Sequence, residues 1–250
     1  MNFRLQFTEN LLDDMNPALK RIHQAALSLF AERGATQVTI SDLAEAAAVA
    51  RGTIYNNLNS TENLFEAVAS QLESEMLIRT SKSLESVEDP AQRLANGIRF
   101  FVRRAHEEPD WGRFLIRFSM TNAVLKNIWT GPPMQDLLSG LDQNRYRFRQ
   151  EQIPSIAGLI GGGVLASMVM VVEGHKTWRE AGSDTAEFIL RSIGISAEDA
   201  IKLATTELPL LPTLDEPKKS RKSESAVAIA KPASSKKPPE KIKGIASKKK

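Results

Sequence analysis

Residues 39–58 read TISDLAEAAAVARGTIYNNL, and this stretch decides the fold. Thr39 suits a helix N-cap, and Asp42 three residues on approximates a capping box. Ile40, Leu43, Ala44 and Ala47 then fall on one inward face. A second short helical pattern spans about residues 50–57 and buries Ile54 and Leu58. Arg51, Thr53, Tyr55, Asn56 and Asn57 stand around it. Small alanines at 44, 46, 47 and 48 let two short helices cross closely. The spacing suits a helix-turn-helix, in which one helix braces and the next enters a DNA groove.

Outward from this motif the pattern stays helical. Asn16-Pro17 reads as an N-cap followed by proline in the first turn. Ile22, Ala25, Ala26, Leu29 and Phe30 then form one apolar stripe, which Gly34 ends in a left-handed conformation. Ser60 caps a long helix with Leu64, Phe65, Val68 and Leu72 on its apolar face. Asp89-Pro90 opens a helix through Ile98, Phe100, Phe101 and Val102. Asp110 caps another carrying Trp111, Phe114, Leu115, Phe118 and Met120. Residues 130–133, Thr-Gly-Pro-Pro, read as a loop. A helix through Leu137, Leu138 and Leu141 precedes the polar run 142–152 and the apolar segment 153–172. Ser183 caps a helix through Phe188, Ile189 and Ile193, ended by Gly194. Ser196 with Asp199 starts a last helix, which Pro209 terminates. The expected class is all-α: a three-helix domain with the helix-turn-helix at 16–80, a larger helical domain at 81–212, to which the family resemblance described below assigns ligand binding and dimerisation, and a disordered tail at 213–250.

The chain has 250 residues and a net charge of +3. Residues 217–250 carry eleven Lys and one Arg against Glu224 and Glu240, a net +10, which leaves −7 on residues 1–216. The basic pI therefore belongs to the tail and says nothing of the body. The tail has no aromatic residue and is rich in Lys, Pro, Ser and Ala. Ordering it costs about 1–2 kcal/mol per residue in backbone entropy with little burial to offset this. Its lysines suit salt-dependent contact with phosphate. There is no cysteine, which removes disulfides, thiolate metal sites and a cysteine nucleophile. Residues 1–15 lack the apolar run of a signal peptide, so a cytoplasmic, nucleoid-associated protein is expected.

Residues 22–72 resemble the TetR family of bacterial transcription regulators. The residues that carry the likeness are Phe30-Ala31-Glu32-Arg33-Gly34, Val38-Thr39-Ile40, Leu43-Ala44, Ala47, Val49 and Arg51-Gly52-Thr53-Ile54-Tyr55. Ser60 and Glu62, leading into Leu64-Phe65, extend it. The sequence departs from the family pattern at four places. Ala48 stands for the turn glycine, Ala50 for the Ser or Thr cap of the recognition helix, Thr61 for a lysine, and Asn57-Leu58 for His-Phe. The resemblance implies a helix lying in the major groove of double-stranded DNA. Arg51 is then the candidate to read guanine, and Asn56 or Asn57 to read adenine or bond phosphate. Gly52 allows close backbone approach, and Thr53 and Tyr55 contact phosphate. Thr39 and Ser41 hold the opposite groove wall through a helix N-terminus, and Thr61 offers an uncharged phosphate contact. The overall expectation is a ligand-responsive regulator, acting as a repressor.

One motif reads only a few base pairs, so a homodimer on a palindrome is expected. The segment 153–172 is the expected dimer element, through Gly158, Gly161, Gly162 and Leu165, with Phe188 and Ile189 of the following helix. Its twenty uncharged residues also meet the length of a membrane span, and Gly158 and Gly162 form a G-x-x-x-G. Pro154, three consecutive glycines and the lack of an aromatic belt argue against a span. The candidate pocket for a small apolar or amphipathic effector is lined by Phe100, Phe101, Phe114, Phe118, Met120, Trp129, Met134 and Met168.

Catalysis finds no support. His23, His106 and His175 are scattered, and there is no G-x-S-x-G and no H-E-x-x-H. Gly174-His175-Lys176-Thr177 lacks the glycine spacing of a phosphate loop. No cofactor and no metal is expected. The rival reading is a nucleoid-type architectural protein relying on the basic tail. The ratio of specific to non-specific DNA affinity separates the two, since a true operator binder shows at least about 10³.

Overall fold

A computed structural model describes residues 16–57 and 60–212, and every described element is a helix. Leu58 and the basic tail at 213–250, with the roles expected of them, lie outside the described residues. α1 runs Pro17–Arg33, and Asn16 Oδ1 accepts from Ala18 N at 2.9 Å. Gly34 ends it at φ 90 and ψ 159, a more extended conformation than the left-handed one expected and one that essentially only glycine adopts. A short 3-10 turn at Ala35–Gln37 leads to α2, Ile40–Ala46. The Thr39–Asp42 capping box is complete in both directions, with Thr39 N to Asp42 Oδ2 at 2.9 Å and Asp42 N to Thr39 Oγ1 at 3.2 Å.

The turn into α3, Arg51–Asn57, passes through Ala48 at φ 51. A β-carbon is disfavoured there because it crowds the following carbonyl oxygen. The carbonyl of Ala50 accepts from Thr53 N at 2.9 Å, so Ala50 opens α3 without a side-chain cap. α4, Thr61–Ser83, begins at Ser60, whose Oγ accepts from Asn63 N at 3.1 Å.

α5, Pro90–Glu107, is capped by Asp89 and buries Leu94, Ile98, Phe101 and Val102. It sits at the centre, against α6 (Pro109–Phe118), α8 (Pro132–Asp142), α9 (Ile153–Val172), α10 (Trp178–Ser192) and α11 (Ala197–Thr205). Several boundaries differ from the sequence reading. α6 starts at Pro109, with Asp110 already in its first turn, and stops before Met120. Asn122 starts a separate α7, Ala123–Thr130, by accepting from Val124 N and Leu125 N at 2.9 and 3.0 Å. The two prolines of the expected loop instead open α8, since proline's missing N–H is no loss in a first turn. α10 starts six residues earlier than expected, at the Thr177–Glu180 capping box. Ser183 lies inside it and donates to Ala204 O at 3.0 Å. α11 stops at Thr205, ahead of Pro209. The expected division at residue 80 falls within α4, which runs through it unbroken.

Phe65 and Arg117 help join the first helices to the rest. Phe65 of α4 packs edge-on to Phe30 of α1 at 5.4 Å and to Phe118 of α6 at 4.9 Å. Arg117 of α6 reaches the C-terminal end of α1, where Nη1 donates to Glu32 O at 3.0 Å and Ala31 O at 3.4 Å, and Nη2 to Arg33 O at 3.5 Å. On α8, Gly140 lies beneath the ring of Tyr146, and a β-carbon at this position would overlap ring atoms.

Gly140→Ala is expected to destabilise the protein by about 1–3 kcal/mol, the cost of overpacking. Ala48→Gly is expected to stabilise it by about 1 kcal/mol by relieving the turn. Thermal or urea denaturation of the two variants beside the parent chain checks both signs.

Candidate functional site

The α2–turn–α3 unit presents a row of polar side chains to solvent. Ile54 is fully buried and pins α3 from below, while Arg51, Gly52 and Asn56 are exposed and Tyr55 is 67% exposed. Among the described residues, nothing outside its own helix backbone and chain neighbours lies within 4 Å of where a Gly52 β-carbon would stand, so this face is open. Arg51 makes no ion pair among the described residues. Thr53 is half-buried, and its carbonyl accepts from Asn57 Nδ2 at 2.7 Å. That bond ties the Asn57 amide to its own helix and leaves its carbonyl oxygen as the free end.

Thr39 and Ser41 are exposed at the start of α2. The Thr39 hydroxyl is already engaged, donating to Asp42 Oδ2 at 2.6 Å while accepting from Asp42 N. These Thr39 bonds hold the Asp42 carboxyl below the usual carboxylate range, and Arg33 adds to the effect from 3.2 Å. The start of α2 is therefore rigid, and Ser41 has the freer hydroxyl of the pair. Thr61 is half-buried at the first position of α4.

A second feature lies among α4, α5, α7, α8 and α9. It is a cavity with about 590 Å3 of empty space, its solvent-open mouth included. Thr80, Phe101, Trp129 and Ile160 are among its walls, and Arg93 and Asp136 make its polar end. Arg93 Nε donates to Asp136 Oδ1 at 2.6 Å, and its Nη1 donates to Leu84 O at 2.8 Å. Burial pushes the Asp136 carboxyl up against the opposing pull of Arg93. Trp129 Nε1 is buried with no hydrogen-bond partner among the described residues, and so is the Tyr146 hydroxyl. Burial raises the pKa of that hydroxyl, with Asp136 contributing. An unpaired buried donor costs about 1–3 kcal/mol.

Of the residues expected to line a pocket, the cavity brings together Phe101 and Trp129. Phe100, Phe114 and Met168 are fully buried in the general core. Phe118 and Met134 pack half-buried against that core, and Met120 is exposed. Sequence reasoning misses Arg93 and Asp136. Reading the prolines as a loop hides that Asp136 lies in the first turns of α8, facing α5. On α9, Gly158 and Gly162 face open space, whereas Gly161 lies against Trp129. Leu165 is half-buried, Ile189 is buried, and Phe188 is 63% exposed.

Comparison with known proteins gives two family matches. Residues 22–68 match the bacterial regulatory proteins of the tetR family, and residues 89–206 match the tetracyclin repressor-like C-terminal domain. Among solved structures, RolR in complex with resorcinol is 28% identical, with 78% of this chain and 96% of that one covered and a TM-score of 0.61. A TetR-family regulator from Shewanella sp. PV-4 is 20% identical, covering 73% of this chain and 100% of that one, with a TM-score of 0.62. FadR from Bacillus subtilis in complex with stearoyl-CoA is 17% identical, covering 71% and 100%, with a TM-score of 0.60. The last two show likeness of fold alone. No curated protein matches the chain. The capped two-helix unit, the helical body and the paired family matches agree, and the chain belongs to the TetR family of non-enzymatic, DNA-binding transcription regulators.

Proposed function

We propose that the protein is a repressor that binds a palindromic operator as a homodimer and leaves it when a small effector fills the cavity. Residues 16–80 serve as the reading head, and residues 81–212 hold the effector and the partner subunit. The observation that carries the reading is the exposed row on α3. Arg51, Gly52, Tyr55 and Asn56 face solvent together while Ile54 anchors the helix from behind. Arg51 has the reach and fork geometry for guanine O6 and N7. Tyr55, Thr53 and Thr61 are placed for phosphate, as is the α2 N-terminus through Ser41 and Thr39. Asn56 is the freer of the two asparagines to meet a base edge.

The dimer is proposed to form through α9 and α10. One face of α9 packs on α5, α6, α7 and α10. The opposite face exposes Ser155, Gly158, Leu159, Gly162, Ala166 and Met170. Leu159 is 51% exposed, and Phe188 of α10 is also exposed. A helix apolar all round is accounted for when both faces are covered by protein, so the length and hydropathy of α9 need no bilayer. The related RolR was solved with resorcinol, which supports a small-molecule effector here. An effector shifts the DNA-bound population only by its differential affinity for the two states.

Selection of random duplexes by the purified protein is expected to recover a palindrome with half-sites about 34–36 Å apart or a multiple of that. Arg51→Ala is expected to weaken the selected duplex by about 1–3 kcal/mol while leaving random DNA nearly unchanged. Equal loss on both in gel shifts removes Arg51 as a base reader, and a specificity ratio near one favours the architectural reading. Phe188→Glu is expected to shift the protein from dimer to monomer in light scattering. A dimer that persists in this variant removes Phe188 from the interface.

A further inference from the structure

We propose that the cavity takes a neutral, single-ring arene bearing hydroxyl groups, with a hydroxyl donating to Asp136 and a ligand oxygen accepting from Trp129 Nε1. This rests on the effector reading and gives that effector a chemical class.

The walls set the shape. Phe101 and Trp129 lie 5.2 Å apart at 40°, and Ile160, Val164, Pro132 and Pro133 complete an apolar lining. Trp129 is held by α9 at Gly161, where a β-carbon would stand 3.4 Å from the indole Cγ. Aromatic rings arranged in this way offer offset and edge contacts to another ring.

The polar end sets the charge. Arg93 and Asp136 are paired at 2.6 Å, and Arg93 also donates to Leu84 O and Val87 O. A carboxylate or phosphate head group would stand beside the Asp136 carboxyl, while Arg93 Nε and Nη1 are already engaged. A cationic head group would meet Arg93. The pair therefore favours a neutral ligand.

The unfilled hydrogen-bond capacity sets the functional group. An ionised carboxylate has about four acceptor sites, and Arg93 occupies one of them at Oδ1. Trp129 Nε1 is a donor only, and it is buried without a partner among the described residues, its side chain lining the cavity at 7% residue exposure. The cavity thus asks for a ligand that both donates, to Asp136, and accepts, from Trp129. A hydroxyl does both, and on a flat ring it matches the walls.

The test is calorimetric titration of the full chain with catechol, phenol, toluene and sodium octanoate. Catechol and phenol are expected to bind at least tenfold more tightly than toluene or octanoate. Trp129→Phe, which keeps a ring in place, is expected to weaken catechol at least fivefold and to leave toluene unchanged. Asp136→Asn is expected to weaken catechol at least tenfold. The proposal is overturned if no hydroxylated ring binds, if toluene or octanoate matches catechol, or if both variants bind catechol like the parent. Gel shifts on the selected duplex without probe separate this from the regulatory reading. A protein that selects a palindrome but ignores catechol loses only the ligand class. One that binds catechol but selects no duplex loses only the operator reading.

Discussion

The end of α1 is the joint on which the molecule depends. A helix leaves its last carbonyls without partners inside the helix, and here Arg117 reaches across from α6 to three of them. Arginine suits this place because its guanidinium is a planar fork with several fixed donors and a permanent charge. A positive group at a helix C-terminus is also favoured by the helix dipole. Below it, Phe30, Phe65, Phe114 and Phe118 pack ring on ring, from three different helices. The first helices are therefore fastened to the body by a polar clasp above an apolar cluster, and α6 contributes to both.

A second fastening runs between α4 and α5. Arg104 is almost wholly buried and pairs with Glu75 at 2.7 Å and Glu108 at 2.9 Å, while its guanidinium lies 4.5 Å from the centre of the Trp111 ring. Arg79 shares the same two carboxylates and also donates to Pro212 O at 2.8 Å. Ser83 bonds Leu210 O at 2.7 Å. The segment after α11 is thereby laid along α4. Removing one partner from such a buried cluster leaves a charge uncompensated, which is costly even where the intact cluster adds little net stability.

The local signals of the first helices are legible in the sequence because they are carried by short-range chemistry. Asn16, Thr39, Ser60 and Asp89 each cap the helix that their side chain announces, and Ile54 is buried where the apolar spacing puts it. The family likeness draws on the same residues. The body is less legible. Prolines at 132 and 133 serve equally well in a loop or a first turn, and only the packing of Leu137 beyond them makes the choice. Thr177 and Ser183 are both plausible caps, and the reciprocal Glu180 bond decides between them. The cavity is hidden for another reason. Its polar end joins Arg93 of α5 to Asp136 of α8, a pairing over 43 positions that no local pattern encodes. Aromatic and methionine side chains mark core as often as cavity, because burial alone gives both the same composition.

α4 touches both working parts of the molecule. Its first residues come just after α3, and Leu77, Thr80 and Ser81 near its other end line the cavity. Its 23 residues make a rod about 35 Å long. Tilting a rod of that length by about 5° displaces its far tip by about 3 Å, close to the rise of two helical residues. On the proposed function, a shift at the cavity too small to disturb packing there is geared up at the opposite end, where the proposed fit to a groove is counted in ångströms.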